Sequence, residues 1–412
     1  SGQAVALKTD GTVEAVAATG GAGSPVVFDA DNISSSTTAT VYDSSNNKIV
    51  ICYRDGGNSG YGTAIVGTVS GTSISFGTSV VFTSGTIDKV CATFESNSNK
   101  IVIAWRDLPT SGTGKWIVGT VSGTSISFGT AATFQTNSVS DIAITFDSSN
   151  NQIVVFYTDQ TSSYEGWSRV GTVSGTSISY GAGPKEFNGG STGKKSATFD
   201  TNSNKVVIAY KDEANNDYGS ARVGTVAFAS GVWNITYGAE VVFESAEVPI
   251  VSATFDSNSN KVVLAYKDAG NSNYGTAIVG TVSGTGISFG TAVVFEGAVA
   301  SSIMSATFDS SKNKVVIAYP YAYSSGKFIE GTVSGTSISF TSSVIFQSGG
   351  EVYNLSSAFD STSAKTVVSY IDAPSSERGA SVVYEPASSN NTSFIGITSE
   401  AISNTATGAV NV

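Results

Sequence analysis

The chain has 412 residues, 40 % of them apolar, with 45 glycines and one methionine. Its 21 basic and 32 acidic side chains leave a net charge of −11, and no basic cluster interrupts that balance, which argues against nucleic acid as a partner. Histidine is absent, which removes the commonest general base, the usual catalytic triad and most transition-metal sites. No apolar run reaches the roughly 20 residues of a membrane helix, so no membrane insertion is expected.

Residues 1–23 (SGQAVALKTDGTVEAVAATGGAG) read as a small lead-in strand followed by a Gly/Ala link. The chain opens on Ser1 without a signal-peptide pattern, as expected if an upstream segment is removed or the numbering starts inside a longer product. From residue 24 an internal repeat governs the sequence. One anchor reads VYDSSNNKIV (41–50), TFESNSNKIV (93–102), TFDSSNNQIV (145–154), TFDTNSNKVV (198–207), TFDSNSNKVV (254–263), TFDSSKNKVV (307–316) and AFDSTSAKTV (358–367). Successive starts differ by 52, 52, 53, 56, 53 and 51 residues. A second anchor of GTVSGTSISFG type follows at Gly67, Gly119, Gly171, Gly224, Gly280 and Gly331.

Each unit divides into four strands. Strand A is of SATF type (Ser252 to Phe255) and strand B of KVVIAYKD type (Lys205 to Asp212). Strand C is of TAIVGTV type (Thr276 to Val282) and strand D of ISFGTAVVF type (Ile287 to Phe295). Asp, Ser, Asn and Gly fill the A–B and C–D turns. Strand B is apolar without alternation (Val206, Val207, Ile208, Ala209, Tyr210), so both of its faces should be buried. That pattern predicts an all-β fold, a seven-bladed β-propeller over residues 24–402 with four-stranded antiparallel blades of about 52 residues. An open β-solenoid is the rival, but its coils are usually shorter.

The seventh unit has strands A to C and an ambiguous D. Pro25-Val26-Val27-Phe28 matches the VVF that ends other D strands, and the pattern favours it as the outer strand of blade seven. Thr392 to Ile397 also resembles a D strand, and residues 403–412 read as a tail or the start of a further segment. Cys52 and Cys91 lie in apolar strand patterns and read as buried free thiols, with a bridge between neighbouring blades as the alternative.

Comparing the repeats sorts the two faces of such a fold. The A–B and C–D turns are nearly constant, whereas the B–C loops (DGGNSGYG, DLPTSGTGKW, DQTSSYEGWS, PYAYSSGKF) and D–A loops (TSGTIDK, QTNSVSD, NGGSTGKK) differ. Both variable sets fall on one face, as a binding surface on a rigid frame would, although unconstrained loops also drift. Aromatic and basic residues gather there: Trp116, Tyr164, Trp167, Arg169, Tyr218, Tyr274, Tyr321, Tyr323, Tyr353 and Arg378 are the candidate ligand-binding residues. Trp116, Trp167, Tyr321 and Tyr323 stand out because they do not recur in register. Trp105, Tyr53, Tyr157, Tyr210 and Tyr266 do recur and read as blade core. Flat aromatics beside hydrogen-bonding groups suit sugar rings.

An Asp follows strand B in six units: Asp55, Asp107, Asp159, Asp212, Asp268 and Asp372. The recurrence points to a turn role, accepting backbone N–H groups; a ring of carboxylates could instead hold Ca²⁺. No other cofactor is expected. Loop carboxylates (Glu165, Glu213, Asp217, Glu247, Glu351, Glu377) form no distinctive pair, and the S-x-D-x-G-x-x-W boxes of sialidase-type propellers are missing, so no enzyme is expected.

The segments ALKTDGTVEAVA and FIGITSEAISNTATGAVNV, flanking GTVSGTSISFGT-type repeats, resemble tail-fibre or receptor-binding proteins of marine bacteriophages. The resemblance implies an extracellular, virion-borne adhesin, often part of a homo-trimeric fibre, that meets a host-surface glycan or surface protein. Two other readings stay open at this level: a structural or decoration protein of a virion or filament, and a polysaccharide-degrading enzyme using loop carboxylates.

Overall fold

The computed structural model describes residues 4–7, 13–15, 21–33, 38–299, 303–386, 394–398 and 410–411. The chain divides into a small unit, Ser1–Gly21 with Glu385–Val412, and a large one, Ala22–Tyr384. In the small unit, Ala4–Leu7 pairs antiparallel with both Val13–Ala15 and Phe394–Thr398, and the latter pairs with Val410–Asn411. The C-terminal segment weighed above as a D strand is thus engaged by the N-terminal strand instead. Residues 392–393 and 403–409 lie outside the described residues.

The large unit is all-β, and each repeat folds into an antiparallel sheet in the order A-B-C-D. In the fifth repeat, A is Val251–Asp256, B is Lys261–Asp268 and C is Tyr274–Ser283. Strand D is split into Gly286–Phe289 and Val293–Glu296, which pair with opposite ends of strand C. In the seventh repeat the outer partner of strand C (Arg378–Glu385) is Val26–Asn32, as the VVF pattern suggested.

The D–A connections of the first three repeats differ from expectation. They are not loops: Val80–Glu95, Ala132–Asp147 and Lys185–Asp200 are continuous strands whose first part pairs in one sheet and whose second part pairs in the next. Extended backbone can bridge neighbouring sheets directly, so the turn-rich composition of these stretches was a misleading signal.

The hydrophobic core lies between repeats rather than within them. One cluster packs Val50, Cys52 and Val66 of the first repeat against Ile101, Ile103 and Trp105 of the second. The series continues from repeat to repeat, and the last cluster sets Val367, Ile371 and Val383 of the seventh against Ile49, Ile51 and Tyr53 of the first. Strand B therefore buries both faces, which is why it lacks alternation. Tyr53, Trp105, Tyr157, Tyr210 and Tyr266 are fully buried in these cores, as read from the sequence. Cys52 and Cys91 are free, and burial pushes both thiols well above their ordinary pKa.

Phe28 shows how the seventh sheet is completed. In every repeat the Phe of strand D lies over the first Gly of strand C, so close that any Cβ there would collide with the ring: Phe82 covers Gly62, and Phe28 covers Gly379. The N-terminal strand thus supplies to the seventh repeat the same plug that the other six carry internally.

The A–B turns repeat one device. The carboxylate that ends strand A accepts the backbone N–H groups two and three residues on, from Asp43 (2.9 and 3.2 Å) through Asp256 (2.9 and 3.0 Å) to Asp360 (2.9 and 3.0 Å). The turn closes on a left-handed residue: Asn47, Asn99, Asn151, Asn204, Asn260 and Asn313 in six repeats, but Ala364 (φ 55°) in the seventh. Asn takes this conformation at less cost than Ala. Ala364→Asn should raise stability by about 0.5–1 kcal/mol, read as a higher thermal midpoint. Phe28→Ala should lower it by about 3 kcal/mol and expose the N-terminal strand to protease ahead of the rest.

Candidate functional site

The B–C loops of all seven repeats end in two successive left-handed residues. The pairs are Ser59–Gly60, Ser111–Gly112, Ser163–Tyr164, Asn216–Asp217, Ser272–Asn273, Ala322–Tyr323 and Ser376–Glu377. The second residue of most pairs ties the loop to the D–A passage beside it. Its carbonyl accepts Ile87 N–H at Gly60 (3.0 Å), Val139 N–H at Gly112 (2.9 Å), Thr192 N–H at Tyr164 (2.9 Å), Val248 N–H at Asp217 (3.0 Å) and Ile33 N–H at Glu377 (3.1 Å). The two variable sets therefore meet on one face. The backbone at this position is constant while its side chain changes from none to a phenol.

Tyr164 and Tyr323 occupy that second position and are 51 % and 64 % exposed. A bulky side chain in the left-handed region is strained by about 1–2 kcal/mol, and Gly serves the same backbone in the first two repeats. In the sixth repeat Ser324 N–H closes the turn on Tyr321 O (3.0 Å), leaving Tyr323 at the tip. Tyr321 is half-buried with the Lys327 ammonium 3.2 Å from its ring centroid. Lys327 in turn pairs with Glu296 Oε2 at 2.9 Å, which also accepts the Tyr319 hydroxyl at 3.1 Å. Phenol, cation and carboxylate are thus fixed together two residues from an exposed tyrosine.

The other sequence candidates are more dispersed. Trp167 is half-buried, packs on the core between the second and third repeats, and donates Nε1–H to Ser162 Oγ at 3.2 Å. The Arg169 guanidinium stacks 3.7 Å from the Tyr180 ring centroid and donates to Phe134 O at 2.6 Å. Tyr218 and Tyr274 are half-buried at the start of strand C, opposite Asp212 and Asp268. Tyr353 is half-buried in strand A of the seventh repeat, where a hydrogen bond to Glu351 raises its phenol pKa. Arg378 reaches Ser375 Oγ (2.9 Å) and Asp372 Oδ2 (3.5 Å). Trp116 requires a correction. It is 0 % exposed, 5.5 Å from the Phe134 ring and above Gly171. Equivalent positions hold Ala64, Ser168 and Ala221, so its lack of recurrence marks a core space filled differently, not a surface role.

The Asp residues after strand B largely serve their turns. Asp55 accepts Asn58 N–H (2.9 Å), Asp159 accepts Thr161 N–H (2.9 Å) and Asp268 accepts Asn271 N–H (3.0 Å). Asp107 holds Lys115 Nζ at 2.7 Å instead. Among the described residues no three acidic or thiol side chains converge as a metal site. Two members have a raised carboxyl: Asp55, through burial and then the Asp29 charge, and Asp212, where burial first and then the Glu240 charge beside it push the carboxyl up to about 6. Glu240 itself accepts the Tyr210 hydroxyl (2.9 Å) and the Ser220 hydroxyl (2.9 Å) and lies 3.7 Å from Arg222. A carboxyl whose pKa rises on folding favours the folded state below its unfolded value and loses that contribution as pH climbs to about 6. Asp212→Asn should therefore stabilise the protein by of order 1–2 kcal/mol at pH 8, with the gain vanishing towards pH 4 in parallel thermal melts.

No family model matches the chain, and no curated protein is similar to it in sequence. Solved structures do share its fold. The BP39L lectin from Burkholderia pseudomallei superposes with a TM-score of 0.61 at 13 % identity, over 86 % of this chain and 99 % of the lectin. The periplasmic gluconolactonase PpgL of Pseudomonas aeruginosa gives 0.55 at 9 % identity, over 85 % and 93 %. A Dyadobacter fermentans protein of unknown function gives 0.53 at 12 % identity, over 90 % and 100 %. At such identities the likeness establishes a β-propeller type of fold and says nothing of chemistry.

Proposed function

We propose that the chain is a glycan-binding module, not an enzyme, and that it grips its ligand with the B–C loop face of a seven-bladed propeller. The observation that carries this reading is the placement of Tyr164 and Tyr323. Two exposed phenols sit at a backbone position where their conformation is costly and where the first two repeats use Gly. Strain of this kind persists where the side chain has a task that offsets it. An exposed aromatic face beside hydrogen-bonding groups stacks on the C–H face of a sugar, and the Tyr321–Lys327–Glu296 cluster in the same loop region would supply polar contacts. The fold shared with a lectin supports the reading without assigning a sugar.

Seven blades follow, in this reading, from seven repeat sheets with a core between each neighbouring pair, the last joining the seventh repeat to the first. The setting proposed for the module, an extracellular fibre that meets a host-surface glycan or surface protein, rests on the resemblance of the chain ends to phage receptor-binding proteins.

A glycan array should return at least one polysaccharide ligand. Tyr323→Gly and Tyr164→Gly should each weaken its binding about tenfold or more without lowering the thermal midpoint, because Gly relaxes the left-handed backbone. Unchanged affinity in both variants, or an array without a ligand, would remove the proposal.

A further inference from the structure

A cavity of about 260 Å³ lies where the A strands begin, and residues of all seven repeats line it. None of the residues discussed above for the glycan site contributes to it. Four of its A strands carry an extra residue, at equivalent points between Asp88 and Cys91, Ser140 and Ala143, and Tyr353 and Ser356, and one position displaced between Thr192 and Lys195. Such bulges re-aim side chains. Lys89 (φ 52°) and Asp141 (φ 44°) sit on two of them in the left-handed region, so strained backbone presents charge to this cavity.

The lining is cationic although the chain is acidic. Lys89, Lys194 and Lys195 line it together with a single acidic residue, Asp141. Asp141 Oδ1 lies 3.8 Å from Lys194 Nζ, which accounts for one charge of each sign. Lys195 Nζ donates to Thr158 Oγ1 (2.6 Å) and Gly193 O (3.2 Å), and no described carboxylate lies within ion-pair distance of it or of Lys89. Burial pulls the Lys195 ammonium down to about 8 against the opposing pull of Asp141 and Glu213. An anion in the cavity would replace the hydration that this ammonium has lost. The rest of the wall is apolar or small, with Ile142, Ile250, Leu355 and Met304 among it.

We propose that this cavity is an anion site for a small organic carboxylate of about one sugar residue, the carboxylate lying between Lys89 and Lys195 and the carbon skeleton against the apolar wall. Its volume falls just under the roughly 300–1,000 Å³ of pockets for drug-sized ligands, which sets the size limit. The site is independent of the loop tyrosines and stands or falls separately from them.

Titration calorimetry with sodium glucuronate, with glucose as the neutral counterpart, tests it on the whole chain. Glucuronate should bind, more weakly as NaCl rises, and glucose should not. Lys195→Met and Lys89→Gly should each weaken glucuronate about tenfold or more. Should Lys195→Met unfold, Lys89→Gly carries the test, because Gly is unstrained at that φ. No glucuronate binding at millimolar concentration, equal binding of glucose, or full affinity in Lys89→Gly would overturn the proposal.

Discussion

The constraint on which the large unit depends is that no repeat can bury strand B alone. Residues such as Val206, Val207, Ile208 and Ala209 are apolar on both faces, and each face finds cover only in a neighbouring repeat. Every sheet is therefore both core and lid. A chain built this way leaves its first and last repeats with a naked face unless they cover each other, and here they do, through Ile49, Ile51 and Tyr53 against Val367, Ile371 and Val383. The arrangement ties residues more than 300 positions apart, so the closure entropy is recovered only when the whole series is in place. Val26–Asn32 seals that junction by pairing with strand C of the seventh repeat, and Phe28 occupies the ring position above Gly379.

Because packing fixes the frame, loop backbones can be held in costly conformations. The paired left-handed residues at the B–C loops recur whatever their side chains, which means that tertiary hydrogen bonds, not local propensity, hold them there. Gly60 and Gly112 take the conformation freely; Tyr164, Tyr323 and Glu377 take it against their preference. The side chain at this position can therefore vary without moving the backbone. That is the property a recognition surface needs, since one scaffold then presents several different contacts in fixed places.

Much of this frame was legible in the sequence. Seven anchors, the absence of alternation in strand B and the VVF at Val26–Phe28 each have a direct physical counterpart. The errors also have physical causes. TSGTIDK and QTNSVSD have turn composition yet run as continuous strand, because a bridging segment between two sheets is constrained by what it pairs with. Trp116 looked like a surface residue because it breaks the repeat pattern, but a core space filled by Ala in one repeat can be filled by Trp in another. The left-handed pairs Ser163–Tyr164 and Ala322–Tyr323 were invisible because Ser-Tyr and Ala-Tyr carry none of the Gly or Asn signals of such turns. Lys89, Lys194 and Lys195 fall in the variable D–A stretches of the sequence, and only the folded arrangement brings them to one cavity with Asp141.

Glu296 and Glu240 show how one frame holds carboxylates in different electrostatic settings. Near strand B of the sixth repeat, Glu296 meets a lysine, and Tyr319 adds a hydrogen bond to a compensated pair. In the fourth repeat, Glu240 faces Asp212, and the carboxyl answers by holding its proton to higher pH. One neighbour changes a structural carboxylate into a paired charge or into an acid that titrates near pH 6. The repeat sets the distances, and the single substitutions between repeats decide what each distance does. Chemical difference between the repeats is therefore concentrated where they disagree in charge or bulk while agreeing in backbone.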